Sequence, residues 1–324
     1  MLLTTTLGAY PKPETILNRK INDSILNRAI QNIVHEQVRA GICIPTDGEL
    51  RRENYIHYHC RHLTGIDFNC MNERISRAGT WNATLPTIIG NIFPQKSFLT
   101  RDWIVAQKAT RQPVKITMPG PLTMADTLVN KYYSDPKKLN RAIARALNFE
   151  ILSLVKAGCL HIQVDEPVFA RYPDDALNFG IENLERCFHG VPKTVTRSVH
   201  ICCGYPIHVD QINFPKAPLE SYFKLAADLE IADIDAVSIE DAHCHNDLRL
   251  LEHFKTTSVI LGVINIATSR IETVDEIEKR LVKAMDHIDS NRLIAAPDCG
   301  LILLPREIAR QKLINLSIAA KKVK

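Results

Sequence analysis

The chain has 324 residues, of which 45% are hydrophobic and 23% charged, and its 40 basic and 36 acidic residues give a formal net charge of +4. This apolar content excludes a disordered or fibrous chain, and the even spread of charge gives no support for a nucleic-acid or membrane partner. The N-terminus lacks a basic start and a cleavage site, and the apolar runs are about half the ~20 residues that span a bilayer, so we expect a cytoplasmic protein.

Short apolar or β-branched runs recur along the chain, and each is followed by a stretch that can form a helix. Eight runs are predicted strands: Leu2–Leu7, Gly41–Thr46, Val114–Met118, Leu160–Val164, Thr196–Cys202, Ile234–Ile239, Val259–Asn265 and Leu293–Pro297. Helical periodicity is clearest in Ile21–Ala40, Lys137–Ala157, Leu219–Leu229, Val274–Ile288 and Arg306–Ala320. This alternation predicts a parallel sheet in an α/β fold, and eight repeats predict a single (β/α)8 TIM barrel over residues 1–324.

The longest stretch without a strand signal runs from about residue 51 to 113, between predicted strands two and three. We interpret it as an insertion above the barrel that could include an extra hairpin. A doubly wound open sheet is the alternative fold, but it needs a glycine-rich nucleotide loop at the first turn. The segment Leu7–Pro11 carries only one glycine, so no dinucleotide fingerprint is present.

In a barrel, the active site forms where the strands end, so the residues at those ends are candidates for chemistry. His200 and Cys202 end predicted strand five, and their spacing of two places both side chains on one face. Glu240 and Cys299 end predicted strands six and eight and can converge on the same point. One nitrogen, two sulfurs and one carboxylate oxygen make a plausible tetrahedral zinc site. The alternative is that His200 and Cys202 only line the pocket.

Two carboxylates end predicted strands two and four, opposite the proposed metal. Glu49 and Asp165 could bind a substrate ammonium, or serve as general acid and base. The alternative is an internal ion pair with Arg51 or Arg52, and the residues alone leave both interpretations open.

The other histidines and cysteines are predicted to have no chemical role. Residues 243–245 are expected in a solvated loop, and His57, His59 and His62 on the surface of the insertion. Cys203 should point away from Cys202 into the core. The remaining buried or mixed positions are predicted to be structural: Cys43, Cys60, Cys70, Cys159 and Cys187.

Together these motifs resemble the C-terminal catalytic barrel of cobalamin-independent methionine synthase. The similar segments occur in the family's order and cover essentially the full chain: Thr4–Pro11, Asp47–Glu49, Gly120–Thr123, Asp165–Pro167, His200–Cys202, Ser238–Glu240 and Pro297–Leu301. The resemblance implies a zinc-dependent methyltransferase that acts on the thiol of homocysteine. It implies that Zn²⁺ is bound by His200, Cys202, Glu240 and Cys299. It also implies that Glu49 and Asp165 hold the substrate's amino group and that the backbone of Leu7, Gly8 and Ala9 holds its carboxylate.

Three departures from the family's pattern concern the methyl donor. The chain has no room for the additional N-terminal barrel of the long synthases, so we expect a short, core-type enzyme. Thr127 stands where the family places a tryptophan against folate, and Ala267 stands where it places a proton-donating histidine. We therefore expect no catalytic residue beyond the zinc site, and a methyl-corrinoid or corrinoid protein as donor. The alternatives are methyltetrahydrofolate as donor, another small thiol as acceptor, a metal-free barrel similar to uroporphyrinogen decarboxylases, and a zinc-stabilised binding module.

Overall fold

Parallel pairing dominates the computed structural model, which describes residues 1–16, 22–76, 79 and 81–323. Seven strands form one curled parallel sheet: β1 (Leu3–Thr4), β4 (Lys115–Pro119), β6 (His161–Asp165), β7 (Thr196–Ile201), β8 (Ala236–Ile239), β9 (Ser258–Ile264) and β10 (Leu293–Pro297). Their order is β1-β10-β9-β8-β7-β6-β4. Three further strands form a small second sheet: β2 (Ile66–Ser76), β3 (Trp81–Ile88) and β5 (Val129–Asn130). The α/β class and the parallel sheet are as predicted.

Predicted strand two differs from the expectation because it is not a regular strand. Ile44 forms an isolated parallel bridge with Thr5, and Thr46 forms another with Lys115. Pro45 lies between these two residues and has no N–H to donate, which limits ladder formation. The segment nevertheless lies between β1 and β4, the two edges of the curled sheet. Predicted strand one is likewise shorter than expected, because regular pairing covers only Leu3–Thr4.

Eleven α-helices in the described part of the chain surround or connect the strands. They are α1 (Asp23–Arg39), α2 (Tyr55–Cys60), α3 (Leu99–Gln107), α4 (Pro121–Asp126), α5 (Pro136–Ala157), α6 (Pro167–Arg171), α7 (Pro173–Asp175), α8 (Ile181–Cys187), α9 (Glu220–Ile231), α10 (Val274–Met285) and α11 (Arg306–Lys322). The five helices predicted from periodicity are α1, α5, α9, α10 and α11. The expected start of the first, Ile21, lies outside the described residues, and Asn22 caps α1 by accepting from the Ile25 N–H. None of the described helices is long and apolar enough to cross a membrane.

The stretch from 51 to 113 contains α2, α3 and the expected hairpin, although residues 77, 78 and 80 lie outside the described residues. β2 and β3 pair in antiparallel fashion from Ile66 opposite Ile88 to Ser76 opposite Trp81, and β3 pairs with β5. Asp102 of α3 ties this stretch together, because it accepts from the Tyr58 hydroxyl at 2.9 Å and pairs with Arg51 Nε at 2.7 Å. These contacts connect α2 and α3 to the residue that begins the stretch, next to Arg52.

The interior of the curled sheet is mainly polar along β4, β6 and β7 and includes a small apolar cluster of Leu7, Ala236, Ile260 and Ala296, whereas the outer face is apolar. Alternate residues of the strands turn inward and are at most 3% exposed: Lys115, Thr117, Gln163, Ser198 and Ser238. Their sequence neighbours belong to the main hydrophobic core beneath the helices: Ile116, Ile162, Val199 and Val237. The two-residue period of a strand explains this division. It also directs the last inward positions of each strand toward the carboxyl-end opening.

Gly120 provides a test of how tightly the strand ends pack. A Cβ at this position would lie 2.3 Å from Oε1 and 2.5 Å from Cγ of Glu166. The Glu166 carboxylate cannot move freely, because it accepts from the N–H groups of Leu122 and Thr123 and from the Thr123 hydroxyl. We expect Gly120→Ala to lower the free energy of unfolding by about 1–3 kcal/mol, measured by urea denaturation. Gly90→Ala is the control, since its Cβ meets only Gly65 Cα at 3.6 Å, and an equal loss there would contradict the explanation.

Candidate active site

Three predicted metal ligands meet at the carboxyl ends of β7 and β10. One ligand atom from each of His200, Cys202 and Cys299 lies within 4.8 Å of the others, and His200 Nε2 is 3.3 Å from Cys299 Sγ. His200 Nδ1 forms a hydrogen bond with Ser238 Oγ at 2.9 Å, so Nε2 is the ring nitrogen that faces the sulfurs. A fixed ring with one outward nitrogen is typical of histidines that bind metals. These three residues form a group that could hold a metal ion.

The electrostatics of Cys202 favour metal binding, whereas the pKa of the Cys299 thiol lies well above its ordinary value, chiefly because of its hydrogen bond with Cys202. The pKa of Cys202 lies well below its ordinary value, chiefly because it is hydrogen-bonded to Cys299 and then to His200, and burial opposes this effect. A thiolate is the form of cysteine that binds metals. Cys203, the next residue, lies fully buried in the main hydrophobic core, where burial raises the pKa of its thiol to about 12. The two adjacent thiols therefore have opposite environments.

Glu240, the fourth predicted ligand, lies outside the group of three. Its Oε2 accepts a hydrogen bond from Lys216 Nζ at 2.6 Å. Its Oε1 is buried and has no hydrogen-bond partner in the described structure. Burial raises the pKa of Glu240 to about 8. A buried carboxylate oxygen without a partner is costly, and a cation would satisfy it, so Glu240 fits the donor set of its neighbours.

Asp298 holds the strand ends in place, and sequence reasoning gave it no role. Its Oδ1 accepts from the N–H groups of Asp241 and Ala242, both at 2.9 Å, and its Oδ2 accepts from His243 N–H at 2.7 Å. These bonds fasten the backbone after Glu240 to the residue before Cys299. The only sequence signal is its position in the Pro297–Leu301 segment, between a strand and a ligand cysteine.

A cavity of about 520 Å³ opens above these residues. Seven of the predicted site residues line it: Leu7, Ala9, Glu49, Asp165, His200, Cys202 and Cys299. Gly8 lies beneath Glu49, where a Cβ would be 2.4 Å from Glu49 Oε1, and its φ of +106° is one that glycine adopts without strain. The structure thus brings the predicted metal and substrate residues together at one opening.

Both carboxylates are held by neighbouring side chains. Glu49 Oε1 pairs with Arg52 Nη1 at 2.9 Å and accepts from the Thr117 hydroxyl at 2.6 Å, so the ion pair weighed against a substrate role is present. Burial nevertheless raises the pKa of Glu49 to about 7. Asp165 accepts from Gln163 Nε2 at 2.7 Å and from the Tyr55 hydroxyl, and burial raises its pKa. Tyr55 had no sequence signal, because it is 110 residues away from its partner.

Thr127 and Ala267, the two departures that concern the methyl donor, lie in different places relative to the cavity. Thr127 lines the cavity, but its hydroxyl donates to the Thr123 carbonyl at 2.8 Å. Ala267 is 4% exposed and does not line the cavity, and its carbonyl accepts from the Asp210 N–H at 2.7 Å. Asp210 belongs to the segment 202–219, which connects β7 to α9. This segment therefore contacts the backbone at Ala267.

One prediction about the remaining histidines is wrong. His59 is not a surface residue: it is 1% exposed, its Nδ1 is bonded to the Tyr55 carbonyl at 2.9 Å, and its ring packs against Phe98. Helix α2 turns this side inward, which the irregular sequence around it did not indicate. His243 is half-buried against Phe214, whereas the next two residues of its loop are exposed.

Comparisons with known proteins give the family and the fold of this chain. The profile of the family described as "Cobalamin-independent synthase, Catalytic domain" matches residues 2–322. A methionine synthase of Sulfurisphaera tokodaii is 28% identical over 337 residues, which cover 100% of this chain and 93% of that protein. The solved B12-independent methionine synthase of Shewanella sp. W3-18-1, in complex with selenomethionine, is 32% identical with a TM-score of 0.91, over 99% of this chain and 98% of that one. A putative B12-independent methionine synthase of Listeria monocytogenes shares the fold, with a TM-score of 0.76 at 19% identity, over 99% of each chain.

The group of three ligands predicts how metal binding responds to single thiol changes. Protein loaded with Co²⁺ should hold about one ion per chain and show thiolate-to-cobalt charge-transfer absorption. Cys202→Ser and Cys299→Ser should each lose most of that absorption and bind metal more weakly, because a hydroxyl is a poor substitute for a thiolate. Cys203→Ser is the matched control and should keep both properties. Equal losses in all three variants, measured by absorption and elemental analysis, would contradict the assignment.

Proposed function

This chain belongs to the catalytic-domain family of cobalamin-independent methionine synthases, and from this premise we propose that it methylates the thiol of homocysteine at the cavity above His200, Cys202 and Cys299. The chain is a methyltransferase by family, which sets aside the decarboxylase-like and binding-module alternatives. The observation that carries the proposal is the meeting of three soft metal ligands and two buried carboxylates at one opening. The Shewanella relative in complex with selenomethionine, the selenium analogue of methionine, supports a product of this kind.

We propose that residues 1–324 form one domain, a (β/α)8 barrel with an insertion at about 51–113, and that the site lies at the carboxyl ends of its strands. The support is the segment from residue 41 to 46, whose two parallel bridges connect the edge strands β1 and β4. Counted as the second strand, this segment would close the ring of eight.

The metal in the proposal is Zn²⁺, with His200, Cys202, Glu240 and Cys299 as ligands. When bound, zinc would lower the pKa of the substrate's thiol so that the sulfur is held as a thiolate at neutral pH. The chain's own residues prepare the site: Ser238 orients the His200 ring, Asp298 fixes the strand ends, and Lys216 holds one oxygen of Glu240. A cytoplasmic location is part of the proposal, because the ligand thiols must stay reduced.

The amino-acid part of the substrate would bind across the cavity from the ligands. Glu49 and Asp165 would hold the ammonium group, and the backbone of Leu7, Gly8 and Ala9 would hold the carboxylate. Burial of both acidic side chains supports this role, since charged hydrogen bonds are stronger where water is excluded. The reaction then forms a bond between sulfur and the methyl carbon as the bond from that carbon to the donor breaks in line. The electron pair of the broken bond leaves with the donor, and proximity supplies part of the acceleration.

The proposed methyl donor is a methylated corrinoid or corrinoid protein. It would be a substrate carried by another molecule and not a cofactor of this chain. A folate nitrogen is a poor leaving group unless it is protonated, and Ala267 has no proton to give. Reduced cobalt needs no proton to leave, because it keeps the electron pair of the methyl–cobalt bond.

The donor is tested by methionine formation from homocysteine. Zinc-loaded protein should produce methionine with methylcobalamin and not with methyltetrahydrofolate, measured by mass spectrometry with an isotope-labelled methyl group. Metal-free protein is the control and should produce none. Turnover with methyltetrahydrofolate would mean that another group protonates the folate, and the donor proposal would then be wrong.

The raised pKa of Glu49 predicts a pH-dependent affinity for the ammonium group. Below pH 7 the buried carboxyl becomes protonated and cannot pair with the ammonium, so homocysteine binding should weaken as the pH falls. A pKa of about 7 gives a loss of about tenfold between pH 8 and pH 6. The reference ligand is 4-mercaptobutanoate, which is homocysteine without its amino group. Its thiol also titrates, so comparison with it separates the effect of the ammonium group from the effect of pH on the thiol. Calorimetry should show that the ratio of the Kd values of the two ligands changes with pH. In Glu49→Gln this pH dependence should be smaller.

A further inference from the structure

Two buried polar residues that do not line the cavity form a hydrogen-bonded chain that ends on Asp165. Lys115 of β4 is 3% exposed, and its Nζ donates to Gln163 Oε1 at 2.6 Å. Gln163 of β6 is fully buried, and its Nε2 donates to Asp165 Oδ1 at 2.7 Å. Neither Lys115 nor Gln163 lines the cavity. Asp165 is therefore held from the interior by two residues that a ligand in the cavity does not touch.

Lys115 and Asp165 together determine which way the Gln163 amide points. Asp165 as a carboxylate can only accept, so the amide N–H is directed at it and the amide oxygen faces Lys115. A protonated lysine can only donate, which matches this orientation. Without Lys115 the buried amide oxygen would lose its donor, and the amide would be held at one end only. Lys115 thus fixes the far end of the hydrogen-bonded chain that reaches Asp165.

The environment of Lys115 is unusual for a structural lysine. Fully buried lysines are rare unless they are paired with an acid, and Lys115 forms no ion pair with any described residue. Lys312 shows the ordinary arrangement, because it is equally buried but paired with Glu272 at 3.0 Å. Burial lowers the pKa of Lys115 to about 7, and the negative charge of Asp165 opposes this effect. The desolvation cost of Lys115 is therefore offset mainly through Gln163 and, beyond it, Asp165.

The two oxygens of Asp165 have separate partners. Gln163 holds Oδ1 from the barrel interior, and the Tyr55 hydroxyl holds Oδ2 from helix α2. An ionised carboxylate has about four acceptor sites, so about two remain for a ligand. Because one partner holds each oxygen, the plane of the carboxylate cannot rotate. The remaining acceptor sites therefore have a fixed direction.

We propose that Lys115 and Gln163 are positioning residues that orient Asp165 for the amino group of the thiol substrate. This inference rests on the proposed function, in which Asp165 binds the ammonium of homocysteine. It assigns selectivity for α-amino thiols to residues that do not touch the substrate. Loss of either residue should weaken recognition of the amino group and leave recognition of the thiol unchanged.

The test compares two ligands that differ only in the amino group. Calorimetry gives the Kd values of L-homocysteine and 4-mercaptobutanoate for zinc-loaded wild type, Gln163→Met and Lys115→Met. Each variant should weaken homocysteine binding about tenfold, which corresponds to the loss of one charge-assisted hydrogen bond, and change 4-mercaptobutanoate binding less than about twofold. Gln107→Met is the matched control and should change neither Kd, because its amide bonds only the backbone around residues 110–114, away from the cavity.

The outcomes separate this inference from the proposed function. Equal weakening of both ligands in the two variants would mean a general structural role and would overturn the inference. Unchanged homocysteine binding in Gln163→Met would also overturn it. Thermal unfolding reports whether Lys115→Met folds, and if it does not, the result for Gln163→Met decides alone. Wild-type protein that binds both ligands equally would overturn the amino-group site itself, and with it the proposed function.

Discussion

The cavity depends on the two-residue alternation of the parallel strands. In β4, β6 and β7 the apolar side chains face the helices, so the polar side chains between them must face the interior of the curled sheet. An interior lined by polar groups is stable only if those groups satisfy one another. The hydrogen bond from Lys115 to Gln163 and the hydrogen bond between His200 and Ser238 do so between neighbouring strands. The same alternation that divides the core thus prepares the ligands and the carboxylate at the strand ends.

Features that repeat along the chain could be predicted from the sequence. Strand and helix alternate, so the α/β class, the parallel sheet and five of the helices followed. The spacing of His200 and Cys202 placed two candidate ligands on one face, and Cys299, at the end of β10, supplied the third member of the group that could hold a metal ion. Predicted strand two failed as a regular strand because Pro45 cannot donate to a ladder, a local property that the apolar run concealed.

Contacts between distant, irregular segments could not be predicted. Tyr55 reaches Asp165 across 110 residues, and Lys216 reaches Glu240 from the segment 202–219, which has no periodicity. Asp298 was visible as part of a motif, but its three backbone hydrogen bonds depend on how two loops fold against each other. His59 was placed on the surface because its helix is too short to show a pattern. In each case the partner is set by tertiary packing and not by local sequence.

The hydrogen bond from Tyr55 to Asp165 connects helix α2 to the proposed substrate site. The helix contacts the end of β6 through this hydroxyl, and Asp165 also lines the cavity. Any ligand that strengthens or weakens that bond changes the free energy of docking for the helix. Thermodynamic reciprocity then requires docking to change the affinity for the ligand by the same amount. If the proposed substrate binds Asp165, the protection of the α2 backbone against hydrogen exchange should therefore change with occupancy of the cavity.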